Sequence, residues 1–248
     1  MMSDFATYAS TCLLTEWDAR DIALANNDPV ATWAKSSAST EGNNLTQGTA
    51  LQRPLFKTGT YPYLQFDGTN DVLSCNLATD PTVVFVVFEA TIDGTTRALY
   101  SALSGGNFHW AHLSGSQLTN PYVGTTPSIS PQAAWASSLN GVRQAMAFRV
   151  TSSTAGCLAD RISVSGAITA KPSFAGVLSV GGFNAGTSFP WSGKIHYVAT
   201  CVGMSLEKIA RGLAILRHEW GAPGDDPGSV GGGTSGFTGL SGVGRLGT

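Results

Sequence analysis

The sequence predicts an all-β protein, a two-sheet antiparallel jelly-roll sandwich, and three observations support this fold class. Residues 64–73 alternate apolar and polar side chains into a turn of Asp, Gly, Thr and Asn, after which apolar residues resume. Residues 82–88 are apolar at nearly every position, which is typical of a strand buried on both faces. Further short strands alternate with clusters of turn-forming residues along the rest of the chain.

The strands are predicted in order from the apolar runs between these turns. The first, 11–18, precedes a short helical turn at 19–24, and residues 35–60 are expected to form a long connection with at most short strands. Segment 104–140 has no regular alternation and is expected to be irregular. The remaining strands are predicted at 62–67, 71–75, 82–89, 97–103, 108–113, 142–151, 158–165, 177–182 and 193–202.

One helix is predicted near the end of the domain. Ser205 is a good N-cap, Glu207 lies in the first turn, and Gly221 provides a C-terminal stop with Pro223 beyond it. Apolar residues recur at helical spacing, which predicts a buried stripe against the sandwich. They are Leu206, Ile209, Ala210, Leu213 and Leu216.

The composition argues against two classes of partner. Only 12% of the 248 residues are charged, the formal net charge is −2, and the chain has no run of Lys or Arg. We therefore expect no nucleic-acid partner and no binding to an anionic membrane surface. The N-terminus lacks the pattern of a secretory signal, so synthesis in a reducing cytoplasm is expected. Cys12, Cys75, Cys157 and Cys201 are far apart and in apolar surroundings, which favours free thiols.

The composition changes after the helix, and this predicts two parts: a domain at 1–222 and a Gly-rich tail at 223–248. Such a tail cannot form a core of its own. Our hypothesis is that neighbouring subunits of a homo-oligomer or larger assembly hold it through apolar residues spaced three apart. These assembly contacts are Phe237, Leu240, Val243 and Leu246.

The order of several short motifs resembles a known superfamily. The motifs are Trp17-Asp18-Ala19, 30–33, Arg53-Pro54, 64–71, 82–88, 191–195 and 218–221. In this order they resemble the concanavalin A-like lectin/glucanase superfamily, in the laminin-G-like form found in bacteriophage and bacterial surface proteins. The likeness covers residues 11–222 and implies a jelly roll closed by the last strand and helix. The fold hosts lectins, glycosidases, adhesion modules and structural domains, so it does not fix the function.

The catalytic and metal-binding features of that superfamily are weak in this sequence. Its glycosidases carry Glu-x-Asp-x-x-Glu on one strand, whereas Glu89 and Asp93 have the wrong spacing and no second Glu. We expect no enzyme activity and no resident cofactor. Asp67, Asn70 and Asp71 carry oxygen ligands that suit Ca²⁺, which some laminin-G-like domains bind. The alternative, which we favour, is that Asp67 and Asn70 bond the backbone of their own turn.

Aromatic residues in the segment 104–140 are the remaining candidates for a binding site. Sugar-binding sites stack aromatic rings against the sugar and add hydrogen bonds from Asn or Asp. The candidates here are Trp110, Tyr122, Trp135, Asn107 and Asn120. Core packing is the favoured interpretation for the other four tryptophans, Trp17, Trp33, Trp191 and Trp220.

Together these observations favour a non-enzymatic structural protein on the surface of a bacteriophage virion. Capsid decoration or a short head fibre is the preferred role, with major capsid, fibre or tail subunits as partners. The alternative is a tail fibre, a receptor-binding protein or a free carbohydrate-binding module that recognises glycans on the host surface.

Overall fold

The computed structural model describes residues 3–104, 107–114, 117–123, 140–159, 163–167, 176–183 and 188–223. For 103–104, 107–110, 112–114, 117–123 and 163–167 the description is limited to the backbone. Within these ranges the chain forms two antiparallel sheets, as predicted.

Sheet A has eight strands in the order β13-β12-β11-β7-β15-β5-β4, and β1 pairs with the second half of the long β15. Their bounds are β1 Leu13–Asp18, β4 Leu55–Lys57, β5 Tyr63–Asp67, β7 Val83–Ala90, β11 Arg143–Val150, β12 Thr154–Leu158, β13 Ser163–Ala167 and β15 Ser192–Cys201.

Sheet B has seven strands in the order β10-β9-β8-β14-β6-β3-β2. Their bounds are β2 Thr32–Trp33, β3 Leu45–Thr46, β6 Leu73–Asn76, β8 Arg97–Ser104, β9 Asn107–Ser114, β10 Gln117–Val123 and β14 Val177–Val180.

Two helices add a third layer on the face of sheet A that points away from sheet B. Helix α1, Asp4–Ala9, packs against α2, Leu206–Trp220, and α2 also contacts β7 and β11. The predicted caps of α2 are confirmed: the Ser205 hydroxyl accepts from the N–H of Lys208 at 3.2 Å, and Gly221 is left-handed with a φ of 59°. This layer explains why β7 is buried along its whole length. One face of β7 meets the core and the other lies under the helices.

The core between the sheets is built largely from aromatic and branched apolar side chains. Tyr100 of sheet B contacts Phe148 of sheet A with ring centroids 5.4 Å apart. The four tryptophans predicted to be core residues are fully buried, as expected: Trp17, Trp33, Trp191 and Trp220. The four cysteines are free thiols, as predicted.

Three sequence-based expectations about the elements were wrong. The single strand predicted at 158–165 is instead part of a hairpin of β12 and β13, paired from Thr154 with Ala167 to Leu158 with Ser163. The segment 104–140 was expected to be irregular apart from the strand predicted at 108–113; β9 corresponds to that strand, but β10 was not predicted. Helix α1 was not predicted because its six residues carry too few apolar positions to show a helical period.

Some predictions fall on residues outside the described ranges. The tail anchors Phe237, Leu240, Val243 and Leu246 are among them, and so is Trp135. The division of the chain at 222 and 223 stays a prediction. None of the helices in the described part of the chain is long and apolar enough to cross a membrane.

Candidate functional site

The acidic turn between β5 and β6 mainly bonds its own backbone. Asp67 Oδ1 accepts from the N–H groups of Thr69 at 2.7 Å and Asn70 at 3.3 Å. Asp71 Oδ2 accepts from the N–H of Asp67 at 2.9 Å. These bonds agree with the turn interpretation for Asp67. Asn70 differs from the expectation, because its Oδ1 is buried and has no hydrogen-bond partner among the described residues.

Burial raises the pKa of Asp71 to about 6, and the neighbouring Asp67 carboxylate adds to this effect. Within the described ranges, no group of three or more His, Cys, Asp or Glu side chains is arranged to hold a metal ion.

Arg97, at the start of β8, joins three loops at this end of the sandwich. Its Nη1 donates to the carbonyl of Gly68 in the acidic turn and to the carbonyl of Pro190 at 3.0 Å. Its Nη2 pairs with Asp93 Oδ2 at 2.6 Å, and this hydrogen bond lowers the pKa of Asp93. We call this end, formed by 67–71, 91–97 and 188–191, the loop end.

Gly68 is required for this arrangement. Its φ is 76°, and a Cβ there would lie 2.9 Å from the Cβ of Ser192 and 3.0 Å from Nη1 of Arg97. A side chain would therefore strain the backbone and push Arg97 away from the turn.

Phe189 is an aromatic side chain that the loop end holds at the surface. It is 41% exposed and has a φ of 53°, a left-handed conformation that is uncommon for a bulky residue. Its carbonyl accepts from the N–H of Ala98 at 2.8 Å, and its ring contacts Phe183 edge-on with centroids 6.2 Å apart. Such strain costs about 1–3 kcal/mol and tends to occur at functional sites.

Sequence reasoning missed Phe189 of the loop end and its neighbour Phe183. No local pattern signals the positive φ of Phe189, because phenylalanine is not a residue type that usually adopts this conformation. One sequence signal could have identified this site. Two aromatic residues, Phe183 and Phe189, flank a short polar segment.

Of the aromatic residues predicted to bind a ligand, Trp110 and Tyr122 lie in strands of sheet B. Trp110 falls in the strand predicted at 108–113, whereas the strand that contains Tyr122 was not predicted. Trp110 of β9 and Tyr122 of β10 are direct register partners, and Trp110 is also the partner of Ser101 in β8. Asn107 begins β9, and Asn120 lies in β10 at an irregularity between Thr119 and Tyr122. Trp110 and Tyr122 are therefore cross-strand neighbours on the consecutive strands β9 and β10 of sheet B.

The line of paired residues that starts with Tyr122 and Trp110 continues across the neighbouring strands of sheet B through small residues with hydroxyl groups. Ser101 pairs with Ser179, Ser179 with Ser74, and Ser74 with Thr46. Paired residues of antiparallel strands share a face of the sheet. Ser101 and Ser179 are fully buried, so the middle of this face is covered in the folded chain. The row is less accessible there than the sequence suggested.

A second polar cluster surrounds Glu89 on the helix-covered face of sheet A. Its carboxylate pairs with Lys194 at 2.6 Å and Arg143 at 3.0 Å, and it lies 3.2 Å from Nε2 of His196. Burial opposes ionisation of Glu89, but hydrogen bonds from His196 and Lys194 outweigh it and lower its pKa to about 2. A general acid needs a raised pKa, so Glu89 is unsuited to that role.

The Glu89 cluster also fixes the end of α2. Nη1 of Arg143 donates to the carbonyl of Trp220 at 2.6 Å, and its guanidinium lies over the ring of Tyr61 at 4.3 Å. Nδ1 of His196 lies 3.0 Å from the carbonyl of Pro62. The cluster therefore connects β5, β7, β11 and β15 to the helix layer, which is a structural role.

No protein-family model matches the chain, and a comparison with curated proteins finds no relative. Among solved structures, a Trypanosoma rangeli sialidase in complex with sialic acid is similar at 13% identity and a TM-score of 0.60. The match covers 87% of this chain but 37% of the sialidase chain.

Domain 4 of a GH43 extracellular arabinanase from Geobacillus stearothermophilus, in complex with arabinotriose, matches at 14% identity and a TM-score of 0.51. This match covers 76% of the chain described here and 100% of that domain. The CBM40 of a Ruminococcus gnavus sialidase, bound to α2,3 sialyllactose, matches at 10% identity over 61% of this chain and 96% of its own, with a TM-score of 0.46.

The arabinanase and sialidase matches show a shared β-sandwich fold, which agrees with the concanavalin A-like resemblance. At these identities the likeness concerns the fold alone.

Proposed function

We propose that this chain is a non-catalytic carbohydrate-binding domain that contacts its ligand at the loop end. The single observation that carries this proposal is the exposed ring of Phe189, held in a left-handed backbone conformation beside the polar groups of three loops. An exposed aromatic face with nearby hydrogen-bonding groups suits a sugar ring. Support for the ligand class comes from the arabinanase domain of similar fold, which is bound to arabinotriose.

The polar groups of the loop end suit a ligand rich in hydroxyl groups. Asp67 is exposed and begins the acidic turn, and Asp93 is partly exposed beside Arg97. A carboxylate accepts hydrogen bonds from sugar hydroxyls, while the ring of Phe189 provides an apolar surface. Because Arg97 fixes all three loops, little ordering is required when a ligand binds.

The experiment is a glycan-array screen of the full chain, followed by calorimetry with arabinotriose and α2,3 sialyllactose as probes. We expect binding to at least one array glycan or probe, and a loss of at least tenfold in affinity for Phe189→Ala, equivalent to about 1.4 kcal/mol. Val177→Ala is a matched control, because Val177 is 37% exposed at the opposite end of β14. Equal affinity in Phe189→Ala and the original protein would contradict the proposed site.

Phe189→Gly separates binding from folding. Glycine adopts a φ of 53° without strain, so this variant should be more stable than Phe189→Ala, which lacks the ring and keeps the strained backbone. It should nevertheless lose the affinity, because the ring is gone. If both Phe189 variants bind normally and Trp110→Ala or Tyr122→Ala does not, the sugar binds at the β9–β10 surface predicted from the sequence.

The absence of catalysis is part of the proposal and has its own test. The similar sialidase is more than twice as long as the matched region, so its activity does not transfer to this chain. A fluorogenic sialoside and a fluorogenic arabinofuranoside should not be hydrolysed above the rate in buffer. Turnover that is lost on heat denaturation would show that the domain is an enzyme.

For the location of the domain we keep the proposal made from the sequence, which is the surface of a bacteriophage virion. Support for this proposal is limited to the low charge and the Gly-rich tail at 223–248. A glycan-binding domain on a particle surface serves host attachment, so the two proposals are compatible. Deleting 223–248 should abolish incorporation into particles while leaving sugar binding unchanged. Full incorporation of the truncated protein would contradict the role of the tail.

A further inference from the structure

Two cysteines that are distant in sequence are neighbours in the fold. Cys12 lies in the turn between α1 and β1, where its carbonyl accepts from the N–H of Val202 at 2.9 Å. The next residue, Leu13, is the register partner of Cys201 at the end of β15. The two thiols are close enough that each shifts the pKa of the other, and Sγ of Cys12 also donates to the carbonyl of Ala9 at 3.1 Å. Cys12 is partly exposed and Cys201 is buried, so a reagent in solution meets Cys12 first.

The surroundings of Cys12 favour its thiolate. The neighbouring thiol of Cys201, and to a lesser extent the nearby ammonium of Lys208, lower the pKa of Cys12 to about 7. Burial has the opposite effect elsewhere and raises the pKa of both Cys75 and Cys157 to about 12. At neutral pH, Cys12 is therefore the reactive thiol among the four, because the thiolate is the nucleophile.

We propose that Cys12 and Cys201 form a thiol–disulfide exchange site, with Cys12 as the attacking thiol and Cys201 as the resolving thiol. The partner class is a low-molecular-weight disulfide such as glutathione disulfide. Cys12 attacks one sulfur of that disulfide, forming a mixed disulfide and releasing one glutathione thiolate. Cys201 then attacks the sulfur of Cys12, and its proton passes to the second departing glutathione thiolate. Two protein thiols are oxidised and one glutathione disulfide is reduced to two thiols.

The bridge would have a structural consequence. It joins the turn after α1 to the end of β15 and closes a loop that contains almost the whole domain. A cross-link between residues so distant in sequence restricts the unfolded chain and stabilises the folded one. The domain would then become more stable in an oxidising environment without any change in its fold. This inference is independent of sugar binding.

The full chain is treated with glutathione disulfide, blocked with iodoacetamide and digested without reduction. We expect a Cys12–Cys201 linked peptide, reversed by dithiothreitol, and a melting temperature several degrees higher. Cys201→Ala should stop at the mixed disulfide on Cys12, and Cys12→Ser should not react. The double variant Cys75→Ala, Cys157→Ala is the matched control and should form the same bridge.

The pH dependence of the first step tests the pairing independently of the bridge. In the original protein the rate should rise with an inflection near pH 7, the pKa of Cys12. In Cys201→Ala the inflection should move up toward the ordinary thiol value of about 8.5. An unchanged inflection, or a glutathione adduct at Cys12 that the original protein never resolves, would overturn the proposal.

Discussion

The carboxylate of Glu219, near the end of α2, accepts a hydrogen bond from the backbone N–H of Asp4 at the start of α1. The side chain of Ser3 provides the second cap of α1 by accepting from the N–H of Ala6 at 2.8 Å. One helix thus supplies a cap for the other, although 215 residues separate the two partners. The short N-terminal helix depends on this contact because six residues are too few for a stable helix on their own.

Replacing Glu219 by alanine should therefore loosen α1. Loss of a helix cap costs roughly 0.5–2 kcal/mol, and the N–H of Asp4 would lose its side-chain partner. Glu219→Gln keeps a side-chain oxygen and should cost less. The measurement is urea unfolding combined with amide hydrogen exchange of residues 4–9. Equal exchange rates in Glu219→Ala and the original protein would show that the contact does not hold the helix.

The Glu89 cluster predicts that stability falls in acid. Burial lowers the pKa of His196 below its usual 6.5, and the pKa of Glu89 is lowered from 4.5 to about 2. Because both pKa values are lower in the folded chain, the unfolded chain binds more protons than the folded chain in this pH range. The free energy of unfolding therefore decreases as the pH falls. The His196 contribution is lost below pH 6.5 and the Glu89 contribution between pH 4.5 and about 2.

Glu89→Gln tests the lower part of this range. The variant should be less stable at pH 7, because Lys194 and Arg143 lose their shared carboxylate. Its free energy of unfolding should change less between pH 4.5 and 2 than that of the original protein. An identical pH dependence in both proteins would assign the acid sensitivity to other groups.

Asp71 should have the opposite pH dependence. Its pKa is raised from 3.8 to about 6, so its contribution to stability is fully present below pH 3.8 and is lost as the pH rises through 6. Asp71→Asn keeps an acceptor for the N–H of Asp67 and removes the buried charge. We compare the free energy of unfolding of the variant with that of the original protein at pH 8 and at pH 3.5. This difference should favour the variant by roughly 1–3 kcal/mol more at pH 8 than at pH 3.5.

The same variant tests the calcium interpretation of the turn. We expect millimolar CaCl₂ to change the melting temperature of the original protein and of Asp71→Asn by the same amount. A stabilisation by calcium that is present in the original protein and absent in the variant would contradict the turn interpretation of Asp67 and Asp71.

The left-handed glycine that ends α2 should resist substitution. A Cβ at Gly221, where φ is 59°, would lie 2.5 Å from the hydroxyl of Tyr61, which itself packs under Arg143. Gly221→Ala should therefore cost more than Gly203→Ala, because Gly203 has a similar φ of 65° but no atom within 4 Å of the added Cβ. Each variant pays about 1 kcal/mol for the backbone conformation. Thermal unfolding compares the two, and equal losses would show that Tyr61 gives way without cost.

The sequence by itself determined the fold class and most strand positions. Alternation around 64–73 and the apolar run at 82–88 are local patterns, and each corresponds to a strand in the structure. The caps of α2 were predictable for the same reason, because Ser205 and Gly221 act on atoms within four residues of themselves. Local chemistry was sufficient wherever the stabilising partner is close in sequence.

The candidate site was decided by the tertiary structure. The turn at 67–71 was recognised from its residue types, but its connection to Phe189 passes through Arg97, which contacts segments that are far apart in the chain. The same holds for the pairing of Cys12 with Cys201 and of Glu219 with Asp4. Each contact depends on strand order and helix docking, and no single stretch of sequence encodes these. Local sequence patterns therefore predict the strands and turns, while the packing of the folded sandwich determines which of them are in contact.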